Sequence, residues 1–177
     1  MQRSLSVISV KKLLFSPRGF TLVEMIVVVA IIGIFAAGIV AVINPRQQIL
    51  KAHDTRRKSD LNAIQRGLEA YYQDYGRYPQ GLSYKIAPAG SVKEWGSAWS
   101  PYMTTIPKDA SNSQAYVYYV SADGQGYVVY ASLERGGSDP QTCNQGAACT
   151  SMGARSIITT AFGGLCNYGV ASADINP

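Results

Sequence analysis

The sequence predicts an α+β protein. A long N-terminal helix, transmembrane in its first half and amphipathic in its second, packs on a small antiparallel sheet. Three observations carry this expectation. Met25 to Ile43 is an unbroken uncharged, mostly apolar run, which at ~1.5 Å per residue spans roughly 28 Å, about one hydrocarbon core. Leu61, Ile64, Leu68, Tyr71 and Tyr75 then recur at alternating steps of three and four, one apolar face of a helix. Finally, Ala115 to Val120 and Tyr127 to Leu133, rich in Tyr and Val, flank the turn residues Asp123-Gly124-Gln125-Gly126, a hairpin pattern.

Residues 1–19 read as a leader. They hold Arg3, Lys11, Lys12 and Arg18 and no acid, whereas the whole chain has 16 basic and 11 acidic side chains and a net charge of +5. The basic balance therefore belongs mostly to this segment, and a polyanion-binding face loses most of its support. An ordinary secretory signal is excluded, because the strongly apolar run follows the candidate junction and no small-x-small site comes after it. Val10, before Lys11-Lys12, is a second candidate initiation point that would shorten the leader.

Residues 20–43 form the span, with Glu24 inside it. The uncompensated positive leader favours the N-terminus inside. Gly33 and Gly38 weaken the helix locally but permit close helix–helix approach in lipid. Residues 44–78 form a stalk helix. Asn44-Pro45 should interrupt it, Gly76 should cap it, and Tyr78-Pro79 should end it. From Gln47 to Asp60 the pattern is polar on nearly every side, so this half is expected to be solvent-bridging. Its cluster Lys51, Arg56, Arg57 and Lys58 is interleaved with Asp54 and Asp60. That mixture fits a solvated or inter-subunit salt-bridging face better than a nucleic-acid site.

Residues 79–177 form a globular, β-containing head. Gln80 to Ser113 should be a long structured loop with little regular structure, anchored by Trp95 and Trp99. The tyrosines Tyr116, Tyr118, Tyr119, Tyr127 and Tyr130 are expected in sheet packing and at the surface. Ile157 to Phe162 is a candidate third strand, and Gly163 to Pro177 receives no assignment. Cys143, Cys149 and Cys166 cannot all pair within one chain. Outside the cytoplasm two of them should join, Cys143 with Cys149 to close a short loop or Cys149 with Cys166 to staple the terminal segment. A zinc site lacks ligands, since the sole histidine, His53, lies in the stalk. Asp109, Asp123 and Asp139 fall in loops without an EF-hand pattern. No nucleophile–base pairing or phosphate-binding glycine loop is present, so no enzymatic activity is expected.

Gly19-Phe20-Thr21-Leu22-Val23-Glu24 with the apolar run resembles the class III signal of type IV pilins and type II secretion pseudopilins. Tyr71 to Leu82 resembles, more loosely, the helix end of major pseudopilins. The resemblance implies that a prepilin peptidase cleaves after Gly19 and methylates the new amine of Phe20, placing Glu24 fifth in the mature chain. It also implies a homo-oligomeric helical filament built with an inner-membrane assembly platform, from subunits whose heads lie outside the cytoplasm. Glu24 would then pair with a neighbour's N-terminal amine, since an unpaired charge in an apolar bundle is strongly unfavourable. Many family members have a proline where this chain has Ala41, so any break should shift toward Asn44. Major pseudopilins also resemble this head in carrying a calcium-stabilised loop, which makes calcium the one cofactor to consider. Pilus and pseudopilus, and major subunit and ligand-binding tip subunit, stay open at this point.

Overall fold

The computed structural model describes residues 19–111, 114–150, 164–173 and 175. The chain divides into two units, Met1–Asn44 and Pro45–Pro177. In the first, α1 runs from Leu22–Ile43, with Thr21 as N-cap in extended backbone and Asn44 closing it in the left-handed conformation (φ 46°, ψ 76°). Asparagine tolerates that region, and Pro45 disfavours helical dihedrals for the residue before it. The expected interruption is therefore one residue wide. Leu22–Ile39 is long and apolar enough to cross a membrane, and 0% of it is buried within the protein. A helix of a water-soluble fold buries at least a stripe, whereas one that is apolar all round needs lipid or other helices as its solvent.

In the second unit, α2 spans Pro45–Tyr75. Proline suits a first helical position, where its missing N–H would have had no partner, and Gly76, at φ 65°, ends the helix as expected. Leu61, Ile64 and Leu68 are 0% exposed and Tyr71 is 8% exposed. Burying these four gives on the order of 8 kcal/mol before entropy is counted. Tyr75 departs from the expected face at 60% exposed. Tyr71 already occupies the contact with Trp99 and Tyr102, and Tyr75, the last helical residue, stacks on Tyr71 instead, with ring centroids 4.4 Å apart.

A three-stranded antiparallel sheet packs on α2 in the order β3-β4-β5. Its strands are β3 (Val117–Val120), β4 (Tyr127–Ala131) and β5 (Tyr168–Ala171). Val117 pairs with Tyr130 and Val120 with Tyr127, so the expected hairpin is present, trimmed at its outer ends. Gly124 takes φ 70° in its turn, and Asp123 accepts the Gln125 N–H at 3.0 Å. Both faces of β4 are covered. Tyr127, Val129 and Ala131 join the α2 core, while Val128 and Tyr130 join a second cluster with Val117, Cys149 and Cys166. This double burial is why Tyr127 to Ala131 reads as a continuous apolar run rather than an alternation.

Two features depart from the sequence reading. The segment from Gln80 holds a short hairpin, β1 (Gln80–Leu82) with β2 (Lys85–Ala87), turned by Ser83 and Tyr84 at φ 50° and 59°. The Tyr118 N–H donates to the Tyr84 carbonyl at 2.8 Å, tying this hairpin to β3. The C-terminal stretch without an assignment supplies β5, which pairs with β4 from Val128↔Ala171 to Ala131↔Tyr168. The candidate strand Ile157 to Phe162 lies outside the described residues. Further along the loop region, Trp99 and Met103 exchange backbone hydrogen bonds of 3.0 and 2.7 Å, and Trp99 is buried as an anchor. Gly67 on α2 makes room for this loop, since a Cβ there would stand 2.7 Å from Met103 Cγ.

Candidate functional site

The start of α1 is the candidate site. Gly19 and Phe20 precede the helix in irregular backbone, and among the described residues beyond its chain neighbours no atom lies within 4 Å of where a Gly19 side chain would begin. Phe20 is 77% exposed. Thr21 and Glu24 form a reciprocal capping box. The Glu24 N–H donates to Thr21 Oγ1 at 3.2 Å, and Glu24 Oε2 accepts the Thr21 N–H at 3.0 Å and the Thr21 hydroxyl at 2.9 Å. Glu24 Oε1 has no hydrogen-bond partner among the described residues. The sequence reading missed the role of Thr21, although Thr21-Leu22-Val23-Glu24 has the spacing of a capping box.

The charged stretch of α2 is only partly the solvated face expected from its composition, with Lys51 and Arg56 exposed. Asp54 and Arg57 are only 3% and 4% exposed. Arg57 donates from Nε to Asp109 Oδ2 at 2.7 Å, from Nη2 to Glu134 Oε1 at 2.8 Å, and from Nη1 to Asp54 Oδ1 at 3.1 Å. Burial alone would lower the Arg57 pKa, but Asp109 and Glu134 outweigh it and raise it above its ordinary value. Asp54 also accepts the backbone N–H groups of Glu134 and Arg135 at 2.8 and 2.9 Å. Next to this cluster, Lys58 donates to Asp139 at 2.5 Å and to Gln141 at 2.7 Å. Burial pushes the Asp139 carboxyl upward, yet Lys58 and the Gln141 N–H hold it below the usual range. Two of the four cluster cations, Arg57 and Lys58, therefore bind the head's loops onto α2 instead of facing a partner.

These contacts also place the three loop aspartates. Asp109 is engaged by Arg57 and the Ser111 N–H, Asp139 by Lys58, and Asp123 by Ser121 and Gln125 within its own turn. Of the two pairings left open, Cys143 joins Cys149, while Cys166 is free and buried. The Cys149 N–H donates to the Cys166 carbonyl at 2.9 Å, so the disulfide loop is pinned to the segment leading into β5. Burial pushes the Cys166 thiol up to about 11, which keeps it protonated and unreactive at neutral pH.

Comparison with known proteins matches both parts. Residues 15–40 match the prokaryotic N-terminal methylation motif, and residues 45–149 match type II secretion system (T2SS), protein G. The chain is 34% identical over 130 residues to the type II secretion system core protein G of Pseudomonas aeruginosa, covering 68% of this chain and 88% of that protein. It is 32% identical over 112 residues to the core protein G of Klebsiella pneumoniae, covering 61% and 76% of the two chains. With the core protein G of Vibrio cholerae it shares 30% identity over 121 residues, 60% of this chain and 82% of that one. No solved structure matches the chain. The exposed apolar helix with its capped glutamate, the methylation motif over its start and the protein G match across most of the head lead to one conclusion: the chain belongs to the type II secretion system protein G family, the major pseudopilins, and is a structural filament subunit.

Proposed function

We propose that this chain is the major subunit of a type II secretion pseudopilus. A prepilin peptidase cleaves after Gly19 on the cytoplasmic side and methylates Phe20. The mature subunit crosses the cytoplasmic membrane once, with its head outside, and an inner-membrane assembly platform adds it to a homo-oligomeric helical fibre. The chain itself catalyses nothing. The observation that carries this reading is the Leu22–Ile39 helix, 0% buried within the protein yet opening on a carboxylate. An apolar surface of that extent needs a solvent, which is lipid before assembly and neighbouring α1 helices after it.

Glu24 gives the assembly its register. In the single subunit its Oε2 is used by the Thr21 cap, and Oε1 remains to accept the Phe20 amine of a neighbour. Glu24→Gln separates the two roles, because glutamine completes a capping box as glutamate does but carries no charge. The variant should insert, be cleaved and carry N-methylated Phe20 by mass spectrometry, yet form no sheared fibre. Fibres at normal yield would overturn the charge-pairing role.

We propose further that the head needs no bound cation. What supports this is that Arg57 and Lys58 already neutralise Asp109 and Asp139. A chelator should leave the melting temperature unchanged. A drop that calcium reverses would refute the proposal.

A further inference from the structure

We infer that the first turns of α2 are a lipid-binding element, in which Arg46 and Lys51 hold anionic phospholipid headgroups of the membrane that α1 spans. The inference rests on the reading of α1 as a membrane span. Arg46 lies three residues beyond Ile43 and Lys51 eight beyond. Chain geometry therefore keeps Arg46 within roughly 11 Å of the end of the apolar helix even at full stretch, since successive Cα atoms are ~3.8 Å apart. Within α2, Lys51 stands five residues beyond Arg46, a rise of only ~7.5 Å.

Both side chains are exposed, and neither joins an ion pair among the described residues. Their neighbours differ: Arg57 and Lys58 are committed to Asp54, Asp109, Glu134 and Asp139 inside the head. No acid occurs between Met25 and His53, and Asp54, three residues beyond Lys51, is taken up by Arg57 and by the Glu134 and Arg135 N–H groups. Helix stability does not account for Arg46 either. It stands in the first turn of α2, where the macrodipole disfavours a cation and where no acid is present.

Ile49, 56% exposed, lies one turn beyond Arg46 on the same side of α2. An exposed apolar side chain beside an arginine, with a lysine in the next turn, fits a helix end at a bilayer interface. The stems lie along the apolar boundary and the charged ends reach phosphate, which guanidinium can grip with two hydrogen bonds. The unassembled subunit is thus retained at a leaflet containing anionic lipid, and addition to a fibre breaks these contacts. Membrane composition and ionic strength then act on the pool available for assembly.

The test is amide hydrogen exchange on the full mature chain in nanodiscs of phosphatidylcholine, with or without phosphatidylglycerol. With about 30 mol% phosphatidylglycerol, amides of residues 46–53 should exchange roughly threefold slower or more, given the usual attraction of a cation to an anionic surface. The difference should vanish at high salt and in Arg46→Gln/Lys51→Gln, with β3 and β4 amides unchanged throughout as the control for folding. Equal exchange in both lipids, or a lipid effect that survives the double substitution, overturns the inference. So does protection that tracks the number of subunits per disc and not the lipid, which would assign this surface to a second copy. Unprotected α1 amides in both lipids would instead bring down the membrane-span reading on which the inference rests.

Discussion

Replacing Arg57 by alanine leaves Asp109 buried beside Asp54 without the guanidinium that neutralises both. The side chains of Arg57 and Asp109 are 4% and 3% exposed, and their contact is two-pronged, at 2.7 and 3.4 Å. Removing one member of such a buried pair costs about 3–5 kcal/mol, because the other charge stays behind without compensation. Asp54 keeps two backbone N–H donors, so the lower half of that range is expected, about 3–4 kcal/mol. For a head of this size the melting temperature should fall by roughly 10–15 °C. Lys85→Ala is the matched control. Its pair with Glu94 is 29% and 66% exposed, and exposed pairs are worth at most about 1 kcal/mol. The assay is thermal and urea unfolding of the mature chain in detergent. Arg57→Ala/Asp109→Ala should be less destabilised than the sum of the single variants, since the second change removes the orphaned charge. If Arg57→Ala melts within the error of Lys85→Ala, the charge cluster is not what fastens the loops to α2.

The remaining predictions concern other parts of the head. Gly146→Ala should destabilise severely or abolish folding, because Gly146 has φ 92° and a Cβ there would meet the Gly136 backbone at 2.5 Å, whereas Gly137→Ala, with nothing within 4 Å, should be silent in the same melt. Cys166 should resist a thiol reagent at pH 7 in the native protein and react once the chain is denatured. Its folded pKa of about 11 lies above the ordinary thiol value, so its contribution to stability is complete at neutral pH and fades as pH rises toward 11, a loss that Cys166→Ala should not show. Asp139 has the opposite sign. Its folded pKa is depressed, so its contribution is present above the unfolded value of about 3.9 and is lost as pH falls through the folded value. Acid unfolding should be shallower below about pH 4 in Asp139→Asn, and an unchanged slope would show that the Lys58 contact contributes nothing. Reducing the Cys143–Cys149 bridge should cost about 2 kcal/mol, as expected for a short closed loop, measured as a fall in the urea midpoint.

Much of this protein is written in local sequence, because the forces concerned act within a few residues. The apolar run from Leu22, the four-residue box from Thr21 to Glu24, the Asn44-Pro45 stop and the Asp123-Gly124 turn each define their own geometry. The leading turns of the α2 core face are likewise set by helical periodicity alone. Other features required chain segments to meet. Arg57 looked like a surface cation because its nearest acids in sequence are Asp54 and Asp60, whereas the distant residues that bury it, Asp109 and Glu134, lie 52 and 77 positions away. Tyr168 to Ala171 carries little strand pattern of its own and becomes β5 because the edge of β4 is there to pair with it. The choice of Cys143–Cys149, with Cys166 left as a buried thiol, was equally invisible to spacing. It depends on the backbone contact that sets Cys149 against Cys166 and fills the second cluster beneath Val128 and Tyr130. Sequence determined the filament signal and the helix that bears it. Tertiary structure decided which charges are consumed in building the head and which, Arg46 and Lys51 among them, remain to face the outside.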